Sequence, residues 1–471
     1  MIRARAKWRM SGRWLRMAAV VCLATAATAT SAQEVLTLPQ ALRQALAVNP
    51  SARAQQYGVE RQDRERAIAR GGFLPKVDVN ADVSHYNEPN TVHPIHEAGV
   101  FPPLDDDIYG MDVTLRQPLY AGGRLVAGRE AAEHNYMAAR ERLRLTHHEL
   151  LFQVTRNFAD ALRYRHLVES LDRRIQALET EREHTAKRLA QGRAARLDLI
   201  RLETRLSQAR HDRIAARQRE QDARARLAAL LDARNDLPPL GELSPAGAKV
   251  PASMEEALTT ASANNPTLNM RAAQTRAARE RVNVARADRR PQVELQASVR
   301  ETSGDNWDFH DDERIGVVFS LPVFDGAVRK NRVAQSELER QQSEFELKAA
   351  RNDLVAEVHQ AVGGVAEAES RRAIARQQQD EAAEALRIES LRYRQGASDI
   401  SDLLSAEADY WGAVANRLQA EYGFIVAQAR LLKATGELRP ASFLAAGVHA
   451  AQTADNQRAA LKPVTGKRRQ P

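Results

Sequence analysis

Two long stretches of this chain repeat each other turn for turn, and each encloses more than a hundred residues without proline. Asn49-Pro50 matches Asn265-Pro266, and Leu74-Pro75-Lys76-Val77 matches Arg290-Pro291-Gln292-Val293, at an offset of 216 residues. Farther on, Pro118-Leu119-Tyr120 matches Pro322-Val323-Phe324, Gln191-Gly192 matches Gln395-Gly396, and Asp198-Leu199 matches Asp402-Leu403, at an offset of 204. A single 12-residue difference between Tyr86 and Tyr109 reconciles the two offsets. A length change of that kind is tolerated in a surface loop, so the chain reads as a tandem structural duplication.

Aromatic residues make up only 5% of the 471 residues and mean hydropathy is −0.51, which argues against a large globular core. Ala, Arg, Glu, Gln and Leu dominate the middle of each repeat, a composition that favours long helices with narrow apolar stripes. The net charge of +8 invites a nucleic-acid reading until it is localised. Arg3, Arg5, Lys7, Arg9, Arg13 and Arg16 supply most of it, and the tail after Arg439 is basic again. The repeats are therefore close to neutral, and the argument for a nucleic-acid partner falls away.

Residues 1–32 read as a signal peptide: a basic segment to Arg16, an apolar run from Met17 to Ala27, and small residues ending Thr30-Ser31-Ala32. That apolar run is shorter than the ~20 residues a spanning helix needs. Cys22, the one cysteine, lies inside it behind too short an apolar stretch for a lipid anchor, so the mature chain has neither disulfides nor thiol chemistry. If such a chain crosses a membrane, it does so with strands.

Strand periodicity is present twice in each repeat. Val77, Val79, Ala81 and Val83 alternate with Asp78, Asn80, Asp82 and Ser84, and Val293, Leu295, Ala297 and Val299 do the same in the second copy. Met111, Val113 and Leu115, and later Ile315, Val317, Phe319 and Leu321, repeat the pattern. Period two gives one apolar and one polar face. A soluble sandwich would bury the apolar face inward, but four strands in a helical chain are too few to enclose it. Strands of ~9–11 residues with apolar-out, polar-in alternation are the mark of an outer-membrane barrel. A barrel must close, and eight strands is the usual minimum, so the chain is expected to oligomerise; three copies give an even-numbered wall of 12.

Proline costs ~3 kcal/mol or more inside a helix, so its absence permits unbroken rods. Apolar residues recur at coiled-coil spacing through Leu150, Val154, Phe158 and Ala161. A rod from Arg124 to Gln191 would be roughly 100 Å long at ~1.5 Å per residue. The Gln191-Gly192 and Gln395-Gly396 turns end the outward runs, and return helices follow. The expected plan is a signal peptide, 1–32; a first repeat, 33–232, with barrel strands 76–86 and 110–119; a linker, 233–252, of little regular structure; a second repeat, 253–438, with strands 292–301 and 314–323; and a disordered tail, 439–471. The fold class is mainly α with a small β part: a coiled-coil tunnel joined to a trimeric, 12-stranded transmembrane barrel.

This layout resembles the TolC family of outer-membrane efflux proteins over residues 34–438. The resemblance rests on the two Asn-Pro pairs, Leu74-Pro75, the Gln117-Pro118-Leu119-Tyr120-Ala121-Gly122-Gly123 segment, and Tyr393-Arg394-Gln395-Gly396 followed by Asp402-Leu403-Leu404. It implies a homotrimer in outer-membrane lipid, extending into the periplasm, that works with a periplasmic adaptor (membrane fusion) protein and an inner-membrane pump and catalyses nothing. Such a protein is the passive exit duct of a tripartite efflux or type I secretion system. Loops 87–109 and 302–313 would face outside and the turns at Gly192 and Gly396 the periplasm. Residue by residue, the resemblance assigns Tyr393 and Asp198 to a link that closes the tunnel and Asp402 to an aspartate ring. Ser398 and Ser405 stand where a gate arginine and a second ring aspartate are expected. Gln191, Gly192, Gln395 and Gly396, at solvent-facing tips, are candidate docking positions for the adaptor.

Plainer roles compete with these. Asp198 and Asp402 are also candidate N-caps of the return helices. His93 and His96 are spaced to reach one metal but read more simply as a solvated loop, and His147 and His148 as surface residues. No nucleophile with a base, phosphate loop or paired-carboxylate signature is present, and no cofactor or metal is expected. The rival function is a structural coiled-coil protein of the cell envelope without channel activity.

Overall fold

The computed structural model describes residues 35–95, 98–234, 237–243, 248 and 250–443. The signal peptide, His96 and the tail beyond 443 lie outside the described residues. Two sets of elements of nearly matched length follow one another. The first is α1 (Leu38–Val48), α2 (Pro50–Gly71), β1 (Lys76–Thr91), β2 (Leu104–Tyr120), α3 (Arg124–Ala190) and α4 (Arg196–Leu230). The second is α5 (Met254–Asn264), α6 (Pro266–Ala287), β3 (Gln292–Ser303), β4 (His310–Ser320), α7 (Val328–Arg394) and α8 (Ile400–Ala434). The rods α3 and α7 each hold 67 residues, about 100 Å at ~1.5 Å per residue, and α4 and α8 each hold 35.

The Asn-Pro pairs make the short and half-length helices add up to a rod's partner. Asn49 Oδ1 accepts from the amides of Ser51 (3.0 Å) and Ala52 (3.3 Å), capping α2, while its Nδ2 donates to the Leu230 carbonyl at the end of α4 (3.0 Å). Asn265 repeats this for α6, with its Nδ2 on the Ala434 carbonyl at the end of α8 (3.0 Å). One side chain thus satisfies orphan donors of one helix and an orphan acceptor of the next, with Pro at the first helical position. α4 runs into α2, and α8 into α6, as stacked pieces.

The four strands form one antiparallel meander in the order β1-β2-β3-β4, leaving β1 and β4 as edges. β1 reaches Thr91 and β2 begins at Leu104, so the connection is shorter than the expected 87–109 loop. The outer part of β2, Leu104-Asp105-Asp106-Asp107, carries no alternation; its pairing with Asn90 and Thr91 makes it strand. β2 also contains Pro118, which cannot donate to the ladder, and the register with β3 slips there.

The largest core lies midway along the helices, where α1 and the middle of α3 meet the ends of α4 and α8 around Phe158, Leu162, Leu227 and Leu432. The described part of 233–252 holds neither helix nor named strand, yet it is fastened to this core. Leu36 pairs with Leu240, and Arg165 donates to the Leu240 carbonyl (2.9 Å). A smaller apolar cluster sits near the Gly192 and Gly396 end, built from Leu178, Leu202, Leu206, Tyr393, Ile400 and Leu403.

Candidate functional site

The sheet has two chemically distinct faces. Val77, Val79 and Val83 of β1, Met111 of β2, Val299 of β3, and Ile315, Val317 and Phe319 of β4 are exposed. Cross-strand pairing puts Val79 opposite Val113 and Leu295 opposite Val317, so these residues share a face with Ala81. Asp78, Asp112 and Gln296 lie on the other face. There Asn80 donates to Asp112 (2.9 Å), Arg116 to Asp78 (3.2 Å), and Arg300 to both oxygens of Asp82 (3.0 and 3.2 Å). Charges are paired on one side, and the opposite side is apolar from Val77 to Val83 and from Ile315 to Phe319, with Glu301, Glu313 and the His85–Asp107 pair confined to its end nearest the β1–β2 and β3–β4 connections. Among the described residues no helix is long and apolar enough to cross a membrane. The same residues hold no cluster of three His, Cys, Asp or Glu suited to a metal. His93 stacks on His310 with ring centroids 4.1 Å apart.

At the far end of the rods, Gln191 and Gln395 are the C-caps of α3 and α7. Gly192 and Gly396 follow at φ +71° and +73°, with nothing within 4 Å of where a Cβ would stand. The amide of Arg193 donates to the Arg188 carbonyl (2.8 Å) and that of Ala397 to the Arg392 carbonyl (2.9 Å), closing a Schellman turn in each copy. Glycine recurs here because the turn needs a left-handed residue.

Tyr393 is buried, 5% exposed, in the apolar cluster near this end. Its hydroxyl lies 3.4 Å from Thr185 Oγ1, and the Arg188 guanidinium sits over its ring at 5.2 Å. Asp198 is not its partner within the chain. Asp198 Oδ2 instead accepts from the Ala195 amide (3.1 Å), the N3 half of a capping box. Neither Asp198 nor Asp402 is an N-cap. Asp399 caps α8 by accepting from the amides of Ser401 (2.6 Å) and Asp402 (3.1 Å), and those bonds hold its carboxyl below the usual range. Asp402 stands exposed in the first turn beyond it, with Ser398 Oγ 3.5 Å from its Oδ2. Ser398 also bonds Glu389, so the position expected to hold an arginine ties the α7 end to the α8 start.

Two contacts join the repeats here that sequence reasoning missed. Arg174 of α3 meets Glu407 of α8 in a bidentate pair, Nε to Oε1 at 2.7 Å and Nη2 to Oε2 at 2.9 Å, and both residues are buried. Arg201 of α4 donates to Ser401 Oγ of α8 (2.5 Å). His148 was also misjudged: it is buried, and desolvation pushes its imidazole down to about 4.

A one-sided apolar sheet and two paired rods on one duplicated chain agree with the family comparison. The family model described as "Outer membrane efflux protein" matches residues 41–233 and 257–437. The chain belongs to that family. Among its curated relatives, outer membrane efflux protein BepC of Brucella suis is 25% identical over 411 residues, covering 85% of this chain and 86% of BepC. Alkaline protease secretion protein AprF of Pseudomonas aeruginosa is 24% identical over 377 residues, covering 78% of this chain and 77% of AprF. Solved structures share the fold at lower identity. CusC superposes with a TM-score of 0.75 at 18% identity, covering 85% of this chain and 92% of CusC. MtrE of Neisseria gonorrhoeae, described as an open-state outer membrane channel, gives 0.71 at 22%, covering 86% and 90%. The fold expected from the strand alternation and proline-free runs is the one observed, and the protein is an outer-membrane exit duct reaching into the periplasm. Its family is one of channels and not of enzymes.

Proposed function

We propose that three copies form a passive channel: their sheets close a 12-stranded wall in the outer membrane and their rods line a tunnel through the periplasm. One observation carries this reading. A four-stranded sheet with two open edges and a continuous exposed apolar face cannot rest in lipid or water as a single chain, because unpaired strand edges are not tolerated in hydrocarbon. The rods need company too. α7 exposes Leu338, Phe345, Val355 and Ile374 and buries only five of its residues, whereas its counterpart α3 buries 17. A neighbouring copy is the partner that supplies the missing contacts.

In this reading the Gln191-Gly192 and Gln395-Gly396 turns point to the periplasm and meet an adaptor protein, and an inner-membrane pump supplies the energy. Tyr393, Asp198 and Asp402 narrow the tunnel end, with Asp402 repeated three times about the axis. The names of BepC and AprF, one of efflux and one of protease secretion, both describe outward passage. A purely structural coiled-coil protein has no use for a one-sided apolar sheet. The test is purification from outer-membrane fractions followed by planar-bilayer recording. A heat-modifiable trimer that conducts supports the channel; an elongated, membrane-free oligomer overturns it.

A further inference from the structure

Between the sheet and the Asn joints, α2, α3, α6 and α7 lie side by side in that order. A cavity of about 710 Å³ draws on all four, from Arg61 of α2 to Glu346 of α7, so it lies on the concave side of that layer. Between the joints and the tips the order is α4, α3, α8, α7, and a second cavity of about 540 Å³ is built from the first three. Both open on one side of α3. Asn135 and Arg142 line the first and Arg156 and Arg163 the second, at multiples of seven residues, which keeps them aligned to within a drift of about 20° per heptad. The other side of α3, through Val154, Phe158 and Leu162, is covered by α1 and the linker.

Arginine dominates both cavities. Arg61, Arg142, Arg271 and Arg281 line the first against Glu346 alone, and Arg156, Arg163, Arg219, Arg226 and Arg430 line the second against Asp160 and Asp222. These carboxylates are already engaged: Glu346 with Arg271 (2.9 Å), Asp160 with Arg163 (3.2 Å) and Arg156 (3.9 Å), and Asp222 with the Gln218 amide (2.9 Å). Arg61, Arg142, Arg219, Arg226 and Arg430 are exposed and make no ion pair among the described residues. Asp353 and Glu357 of α7 line an adjoining groove, while Arg371 and Glu367 pair with each other farther along (2.7 Å). Nine arginines against five carboxylates leave four net positive charges per chain and twelve in a trimer. A neighbouring copy meets the chain at its outermost helices, whereas Arg142, Arg156, Arg163, Arg271, Arg281 and Arg430 stand on the inner ones, α3, α6 and α8.

We infer that this arginine-lined wall binds anionic cargo in transit, solutes that carry phosphate, sulfate or several carboxylate groups. The inference rests on the channel reading, in which three chains close into a ring and the concave side faces the axis. A guanidinium presents a planar fork that takes two oxygens of such a group at once. A wall of one sign, enclosed by protein of low dielectric, concentrates ions of the other. Arg163 and Arg219 lie over the Tyr164 ring at 4.3 and 5.9 Å, which holds two of the forks in place in the second cavity.

The test records single channels of the purified full-length trimer in planar bilayers, with pyrophosphate added from the extracellular side. Pyrophosphate is expected to block in dilute KCl and to lose roughly tenfold in potency in concentrated KCl, where the wall is screened. Arg219→Gln/Arg226→Gln/Arg430→Gln should raise the half-blocking concentration by about fivefold or more, and Arg61→Gln/Arg142→Gln by about twofold or more, because each removes forks without stranding a carboxylate. Under a KCl gradient both variants should lower the ratio of chloride to potassium permeability. Arg43→Gln/Arg234→Gln, on α1 and in the linker, should change neither quantity. Absence of pyrophosphate block, block that survives both cavity variants, or an equal effect from the outer-side variant would each overturn the proposal. A trimer that conducts but ignores pyrophosphate defeats only the anion site, and one that does not conduct defeats the channel.

Discussion

The buried Arg174–Glu407 pair is the clearest case of a residue-level cost set by the fold. Both groups leave water, and their attraction repays that only because the bonds are bidentate. Removing one partner strands a charge, so Glu407→Leu should cost about 3–5 kcal/mol, whereas Arg174→Met/Glu407→Leu should come within about 1 kcal/mol of the parent or exceed it. Urea denaturation of the three forms checks this; equal losses in single and double variants would mean the pair is not coupled. The residues proposed to narrow the tunnel make a second prediction. If three Asp402 carboxylates approach to ~4 Å, each pair repels by about 4 kcal/mol at an effective dielectric near 20, so cations should bind among them. Asp402→Ala should then reduce block by trivalent cations added from the periplasmic side. Tyr393→Phe and Thr185→Val should raise single-channel conductance equally, with no further rise in the double variant. The place of Asp402 and Tyr393 near the rod ends was legible in the sequence through the tip motif, whatever their role there. Arg174–Glu407 was not, because its partners stand 233 residues apart and nothing local matches one to the other.

At the scale of elements, periodicity announced the strands and the missing prolines announced the rods, but neither could announce contacts made at a distance. The linker is the example. Its composition gave only prolines and glycines, whereas its order comes from Leu36, Arg165 and His166 on other elements. Glu242 there accepts from His166 Nε2 (3.0 Å) and from Arg165, while Glu169 and Tyr422 flank the ring. The bond to Glu242 raises the His166 imidazole, and the same bond lowers the Glu242 carboxyl. The imidazole contribution is complete below its ordinary value of 6.5 and fades as pH rises through the raised one. The carboxylate contribution is present above its ordinary 4.5 and fades as pH falls through the lowered one. Proteolysis within 237–243 should therefore be slowest near pH 5–6 and faster at pH 8, and His166→Gln should flatten the alkaline side; an unchanged profile would remove the pair from the account. The strands carry their own prediction. Arginine at Val79 should cost about 2–4 kcal/mol at the bilayer midplane but little at Asn80, beside Asp112 on the polar face, and folding into lipid vesicles measures both. Equal tolerance would mean that the faces have been assigned the wrong way round.

For the whole molecule, duplication produces an object that is complete along its length and incomplete around its circumference. Each rod is matched in length by its own stacked partner, with joints set by Asn49 and Asn265, so a single chain already spans the distance. Sideways it ends in two bare strand edges and an underused α7 face. The sequence revealed the first property through its repeat offsets and the second only through the count of strands, since no residue pattern marks which surface a neighbouring copy will cover. The edges decide the assembly because a backbone amide without a partner in hydrocarbon costs several kcal/mol, and an open edge carries a row of them. Proline at Val317, in the middle of edge strand β4, removes one donor and obstructs the ladder there. Val317→Pro should abolish the heat-modifiable trimer and recovery in the outer-membrane fraction. Proline at Val323, beyond the strand, adds a second proline to a connecting segment and should leave both intact. The helices alone, packed around Phe158 and Leu227, should keep most of the helical circular dichroism in either variant. A Val317→Pro chain that still forms trimers in the outer membrane would show that closure of the sheet is not what holds three copies together.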